Sequence, residues 1–476
     1  MGKQGAFLKY RRQGPGYRPP EARVKDYRAV EIPLAEDDLQ SQLARCMECG
    51  TPFCYGYGCP LSNVIPELNE LAGQQRWVEA LDLLVAANPF PEFTGRLCPA
   101  LCEASCVLAI NDEPVTIRQI ELAIIEKGFA QGYVHARPPA RRWEESIAVI
   151  GSGPAGLAAA DALNKAGYRV VVYESAAKIG GILRYGIPDY KLEKWILDRR
   201  LRLMEQEGVR FETGVTVGAD ISYKYLRSRF NAICLCGGAQ EPRDLIVPGR
   251  DLAGIHFAME YLAAQNMKNS GEHTGLDAII DARGKRVVII GGGDTGADCL
   301  GTALRQGASS VHQLEILPEP PRTRPDSTPW PMWPCIRRDS TSHSEGGERR
   351  WGVSTMAFNG LRGHVTGLRC IQVDSIHAAN GPIEFAPRPG TEFELEAELV
   401  LLALGYVATG RNRIADDLCL ERDRQGYIQV NADRMTSVPG VFVAGDMRTG
   451  QSLVARAIAD GLSAAGGIMR AGRSKN

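Results

Sequence analysis

The chain has no run of 18 apolar residues, so nothing in its 476 residues reads as an ordinary membrane-spanning helix. Its first residues, Met1 to Arg12, are basic and polar and carry no apolar stretch of the kind that marks an export signal. An excess of charge is missing too: 55 Lys and Arg stand against 56 Asp and Glu, a net charge of -1, which leaves no electrostatic footprint for nucleic acid or anionic lipid. Those absences point to the cytoplasm and away from nucleic-acid or membrane partners. In a reducing compartment, cysteines serve as ligands or free thiols rather than as disulfides.

What is present is glycine and cysteine. With 52 glycines and 44% hydrophobic residues, the composition suits an α/β protein rich in tight turns, and the length asks for two or three compact units. Of 13 cysteines, Cys46, Cys49, Cys54, Cys59, Cys98, Cys102 and Cys106 crowd into one region, while Cys234, Cys236, Cys299, Cys335, Cys370 and Cys419 are scattered. Residues 1–30 are rich in Gly, Pro and Arg and are expected to drape over a surface, with no chemistry assigned to them. From Leu39 to Gly128 short helical patterns are interrupted by Cys and Pro, and ARPPARRWEES then reads as a linker. The expected division is a helical domain over 1–145, a first nucleotide-binding part over 146–280, a second nucleotide-binding domain over 281–395, and a return to the first over 396–476. Leu317 to Arg350, dense in Pro, Arg and Ser, is a long loop of open role.

The string IAVIGSGPAGLAAADALNKAGYRVVVYES reads as strand, glycine turn, helix and strand. Such a site needs one glycine for the turn, a second to admit a pyrophosphate against bare backbone, and a third for close helix packing. Gly151, Gly153 and Gly156 fill those places, and Glu174 ends the second strand where a ribose would lie. The helix N-terminus near Pro154 faces the phosphates. Gly291, Gly293 and Gly296 repeat the pattern, with Glu315 at the matching strand end, so two dinucleotides are expected. In AGDMRTGQS, Asp446 and the helix beginning near Ser452 suit a flavin dinucleotide, which assigns FAD to the first fingerprint and a nicotinamide to the second. This is the layout of the two-dinucleotide flavoprotein reductases, which the chain resembles: two nested Rossmann-like, glutathione-reductase-like domains. Cys234 and Cys236 read as a buried structural pair rather than a redox centre. A carboxylate at Glu315 favours NADH over NADPH, although Arg322 and Arg324 lie close enough in sequence to bend back toward a 2′-phosphate.

Cys46, Cys49, Cys54 and Cys59 stand at gaps of two, four and four residues with Pro60 behind them, and Cys98, Cys102 and Cys106 at gaps of three. Thiolates so spaced hold iron–sulfur cubanes; zinc is the competing reading. Seven thiolates fit two 4Fe-4S clusters better than one zinc, and beside a flavin only iron passes single electrons. An eighth ligand must come from elsewhere; Glu121 could supply an oxygen, and composition alone does not separate it from Glu113.

The strings CMECGTPFC, GCPLSNVIPE, NPFPEFTGRLCP, VTIRQIE, GGILRYGIPDYKLEK, GGGDTGADC, TPWPMWP and AGDMRTGQSLVARAI resemble the small subunit of glutamate synthase from about Cys46 to the C-terminus. The resemblance implies a crossed ligand arrangement, with Cys46, Cys49, Cys54 and Cys106 on one cluster and Cys59, Cys98, Cys102 and Glu121 on the other. It also implies Gly181 as a further cofactor-binding position. In two places the spacing departs from the family: Cys54 to Cys59 is one residue longer than usual, and Cys98 to Cys102 is shorter than in many bacterial members. The implied activity is oxidation of NAD(P)H through FAD and the clusters, feeding a large subunit that makes L-glutamate from L-glutamine and 2-oxoglutarate in a hetero-oligomer. Beginning Met1-Gly2, the chain lacks the N-terminal cysteine expected for the glutaminase step. Hydride transfer requires no acid–base side chain, so no catalytic residue is named. The same motifs also suit a ferredoxin:NADP oxidoreductase or sulfide dehydrogenase subunit, or a non-catalytic iron–sulfur carrier.

Overall fold

A computed structural model describes residues 5–239, 241–272, 280–377, 383–407 and 413–473. Short helices dominate the first third: Glu36–Leu43, Ile65–Gly73, Trp77–Ala87, Pro91–Leu97 and Ile117–Ala130. All but Pro91–Leu97, whose Phe93 enters the next domain's core, show an apolar face to a shared core in which Leu39, Leu68, Leu84, Ile120 and Ile124 are buried together with Cys54, Cys102 and Cys106. The cysteines therefore sit inside this core or at its edge, held by helices too short to be stable alone.

Beyond the linker, β-branched runs form the first parallel sheet, in the order Val441–Val443, Ala232–Leu235, Ser146–Ile150, Arg169–Glu174, Arg210–Thr213. The strand leading into the first glycine turn is central, with its neighbours reached in opposite directions. That is the topological switch point at which such sheets bind ligands. A second parallel sheet repeats the arrangement in the order Glu348–Trp351, Ser310–Glu315, Arg286–Ile290, Leu399–Leu402, Ile255–Phe257. An antiparallel meander, Val353–Leu361, His364–His377, Ile383–Pro387 and Phe393–Glu396, packs Val353, Phe358, Val365 and Leu368 onto one face of it. Among the described residues no helix is long and apolar enough to cross a membrane.

The hydrogen bonding moves two expected boundaries. Leu399–Leu402, assigned from sequence to the returning first domain, pairs with Arg286–Ile290 and Ile255–Phe257, so it closes the second sheet. Ile255–Phe257 and the helix Ala258–Asn269 also belong to that second unit rather than to 146–280. An all-apolar strand satisfies either sheet equally well, and only its hydrogen-bond partners distinguish them. Similarly, the long segment after Leu317 ends in a strand at Glu348, and the closing helix begins at Val454, two residues beyond the expected start.

Residues before 30 are more than surface covering. Arg23 is buried and donates to Glu345 at 2.6 Å, and Arg305 of the second nucleotide unit shares the same carboxylate at 2.5 Å; the Glu345 and Arg305 side chains are fully buried. Arg23 also donates to the Thr341 carbonyl and Ser344 hydroxyl, and Arg305 to the Asp26 carbonyl while lying over the Tyr190 ring. One carboxylate thus bridges two guanidinium groups from distant parts of the chain. Glu345→Ala strands both charges, a change expected to cost about 3–5 kcal/mol. It should appear as a lower denaturant midpoint and faster proteolysis near residues 20–30; an unchanged midpoint would contradict the assigned role.

Candidate functional site

Both glycine turns open into one cleft of about 1320 Å³, larger than the usual single-ligand pocket and lined by both fingerprints. At the first turn Gly151 has φ +101, and a Cβ there would lie 2.4 Å from the Cys236 carbonyl. A Cβ on Gly156 would meet the Gly151 carbonyl at 2.0 Å, so only glycine lets the helix Pro154–Lys165 pack against its own strand. Gly153 caps that helix and has open space where a Cβ would be, leaving bare backbone toward the cleft. Gly291, Gly296 and Gly293 repeat the same three geometries, with the Ala403 carbonyl in the place of Cys236. Gly181 lines the cleft with φ +51, and its missing side chain would strike Gly153.

The two strand-end acids differ. Glu174 accepts from the Ser152 amide and hydroxyl on one oxygen and from the Ala176 amide and Ser175 hydroxyl on the other. It braces the turn, and a ribose would have to displace a hydroxyl to reach it. Glu315 accepts one amide on each oxygen, from Gly292 and Leu317, both at 2.8 Å. A lone pair remains on each oxygen, facing the cleft. Arg324 is turned elsewhere, donating to the carbonyls of Thr328, Met332 and Ala104, and Arg322 does not line the cleft, so neither reaches back toward Glu315.

Asp446 lies in the cleft at the start of the short helix Asp446–Thr449 and accepts from the Ser452 hydroxyl at 3.0 Å. Burial lifts its carboxyl to about 6, against the Ser452 hydrogen bonds. Asp460, unremarked in the sequence, fixes this loop: it accepts from the Gly445 amide at 2.8 Å and from Arg434 and Arg448. Cys234 and Cys236 have their sulfurs 3.6 Å apart in the buried first-domain core.

The clustered cysteines separate into two small cradles. Cys46, Cys49, Cys54 and Cys106 line one; Cys59, Cys98, Cys102 and Glu121 line the other. Sequence neighbours Cys54 and Cys59 thus face different cradles, as the crossed pattern implies. Among the described residues no three His, Cys, Asp or Glu side chains converge as the shell of a single ion. Burial pushes the Cys54 and Cys59 thiols up to about 12, and nearby Cys106 and Glu121 respectively add to the rise. Glu121 is lifted to about 7 by burial, opposed by the Asn63 amide, which donates to it at 2.8 Å. Thiols so hard to ionise are neutral until a cation supplies the missing positive charge. All 13 cysteines are free of disulfides.

The second cradle is the inner one. Ala455 of the closing helix lines it, and Leu61, Phe90 and Phe93 enter the core of the first nucleotide unit with Cys59 and Cys98 packed alongside. Leu453 and Val454, immediately before Ala455, line the cleft itself. The first cradle is the outer one, lined only by the helical domain. It is covered by the segment whose role the sequence left open: Trp330 packs on Phe53 at 4.7 Å and donates to the Cys106 carbonyl, and Ser105 donates to the Pro331 carbonyl. TPWPMWP carried the aromatic signal for this contact, though nothing in the string names its target.

Comparison with known proteins agrees with this division. The family described as dihydropyrimidine dehydrogenase domain II, 4Fe-4S cluster, matches residues 23–133, and pyridine nucleotide-disulphide oxidoreductase matches 145–328 and 368–461. The glutamate synthase (NADPH) small chain of Mycobacterium tuberculosis H37Rv is 51% identical over 475 residues, covering 99% of this chain and 96% of the relative. That of Bacillus subtilis strain 168 is 42% identical, covering 97% and 96%. Glutamate synthase (NADH) of Schizosaccharomyces pombe is 44% identical over 473 residues, which are 97% of this chain but 22% of the relative. Among solved structures, Mycobacterium tuberculosis FprA in complex with NADPH has the same fold, with a TM-score of 0.55 and 21% identity over 71% of this chain and 86% of that one. With its iron–sulfur and two-dinucleotide architecture and these near full-length matches, the chain belongs to the glutamate synthase small-chain family, the NAD(P)H-dependent flavin oxidoreductase subunits of glutamate synthase.

Proposed function

We propose that this chain is the electron-input subunit of a glutamate synthase that draws on NADH and holds two 4Fe-4S clusters, one per cradle, with a larger partner making L-glutamate from L-glutamine and 2-oxoglutarate. When bound, FAD takes hydride from the nicotinamide and releases electrons singly to iron–sulfur centres. The observation that carries this reading is the pair of four-donor cradles set in series outward from the cleft, the inner one sharing the closing helix with it.

Each ligand has its residues. Gly151, Gly153, Gly156, Gly181, Glu174 and Asp446 hold FAD, and Gly291, Gly293, Gly296 and Glu315 hold the nicotinamide dinucleotide. Cys46, Cys49, Cys54 and Cys106 hold the outer cluster; Cys59, Cys98, Cys102 and Glu121 hold the inner. No side chain is required to move a proton; the protein positions two dinucleotides in one cleft and keeps the route outward buried. The free lone pairs of Glu315 suit the two hydroxyls of an unphosphorylated ribose and repel a 2′-phosphate. The relatives include both NADPH and NADH forms by name. A large-subunit partner is supported by the yeast relative, in which a matching stretch is part of a much longer chain. A cytoplasmic location is supported by the 13 cysteines, none of which is in a disulfide.

Anaerobic purification should yield flavin and acid-labile sulfide, and mixing with the large subunit should give NADH- and glutamine-dependent glutamate formation. Sulfide-free protein, or protein holding zinc, would sink the reading. Because a Cβ at Gly293 meets nothing within 4 Å, Gly293→Glu should fold and keep FAD while losing at least about tenfold in NADH-dependent dye reduction. Full retention of that activity would displace the second site. Glu315→Gln keeps one of the two acceptor oxygens but removes the charge, and should move the NADPH-to-NADH ratio of kcat/KM about tenfold toward NADPH; no movement would show that Glu315 does not set the preference.

A further inference from the structure

Asn69 lies in the middle of the helix Ile65–Gly73, where a side chain of its polarity is out of place on the buried face. It is 3% exposed, and its amide nitrogen Nδ2 is buried with no hydrogen-bond partner. A buried amide donor left unpaired costs about 1–3 kcal/mol, so it needs an acceptor. Asn69 lines the outer cradle, whose other walls are Met47, Pro52, Phe53, Ile65, Val107, Leu108 and similar apolar residues besides the four cysteines. The side-chain acceptors within this cradle are therefore sulfur atoms. Asn69 and Cys46 line the same cradle, and the Asn69 side chain opposes the rise that burial imposes on the Cys46 thiol, so the amide lies beside that sulfur without the geometry of a formed hydrogen bond.

The inner cradle has an asparagine too, but it is used differently. Asn63 donates its Nδ2 to the Glu121 carboxylate at 2.8 Å, so this amide serves the oxygen donor and not a thiol. The two cradles thus differ in donor set and in what the nearby amide touches.

We infer that Asn69 is a positioning residue that donates a hydrogen bond to the sulfur of the outer cluster at Cys46 and thereby raises that cluster's reduction potential relative to the inner one. The inference rests on the cluster reading above. Reduction adds one negative charge to the cluster, and a donor aimed at its sulfur stabilises the charge without proton transfer. Asn69 would bias the electron outward, toward the surface where a partner collects it.

The test is a reductive titration of the anaerobic holoprotein followed by electron paramagnetic resonance, with iron and acid-labile sulfide counted in each sample. The signal lost in Cys46→Ser identifies the outer cluster. Asn69→Leu, similar in size but without a donor, should shift the outer midpoint to a more negative potential and leave the inner midpoint in place, and Asn69→Gln should restore much of the shift. An Asn69→Leu protein with full iron and sulfide and an unmoved outer midpoint, or with both midpoints moved alike, overturns the inference alone. Wild-type protein lacking acid-labile sulfide overturns the cluster reading and this inference with it.

Discussion

The arrangement depends on the seam between the helical domain and the first nucleotide unit. Leu61, Phe90 and Phe93 cross that seam into the nucleotide unit's core, and the Glu92 carboxylate, fully buried, receives Arg200 at 2.6 Å. Apolar burial holds the two bodies together, and the ion pair fixes how they are turned, because a buried charge tolerates little displacement from its partner. Without this seam the inner cradle would not share the closing helix with the cleft, and the two chemistries in the chain would be unconnected. Electron transfer needs distance kept short far more than it needs any reactive side chain, which explains why the site is rich in packing contacts and poor in acid–base groups.

How much of this could be read from the amino acids depended on whether the chemistry was local. Glycine turns are local: the roles of Gly151, Gly153 and Gly156 follow from one strand and one helix, and the structure repeats them at the second turn. Cysteine spacing announced metal chemistry for the same reason. The sorting of seven thiols and Glu121 into two cradles was implied by family resemblance rather than by spacing, since Cys54 and Cys59 are neighbours that part company only in three dimensions. Long-range pairings were illegible. Nothing in ELVLLALGY chooses between two sheets that accept the same apolar strand, and nothing around Arg23 reveals a carboxylate more than 300 residues away. Asn69 did leave a trace, as an amide on an otherwise apolar helical face, but such traces acquire meaning only once the facing wall is known.

The segment after Leu317 joins the cleft to the outer cradle. It begins at an amide that Glu315 holds beside the second glycine turn, and further along it lays Trp330 over Phe53 at the outer cradle. Within a few tens of residues it returns to the second nucleotide unit through Glu345, whose carboxylate also retains the N-terminal arm. Pro and Arg suit such a bridging segment. Proline stiffens a chain with no ladder to lean on, and arginine supplies donors for carbonyls that no secondary structure satisfies, as Arg324 does for Thr328, Met332 and Ala104.

The nesting of one nucleotide unit inside the other also matters for how the polypeptide is made. The first sheet holds four strands completed by Leu235, while its edge strand Val441–Val443 and the covering helix Val454–Arg473 emerge some two hundred residues later. On the ribosome the earlier unit must wait, partly open, while the later one is synthesised and closes with Leu399–Leu402. The order of translation is therefore the reverse of the order of completion, and the unit begun first is finished last.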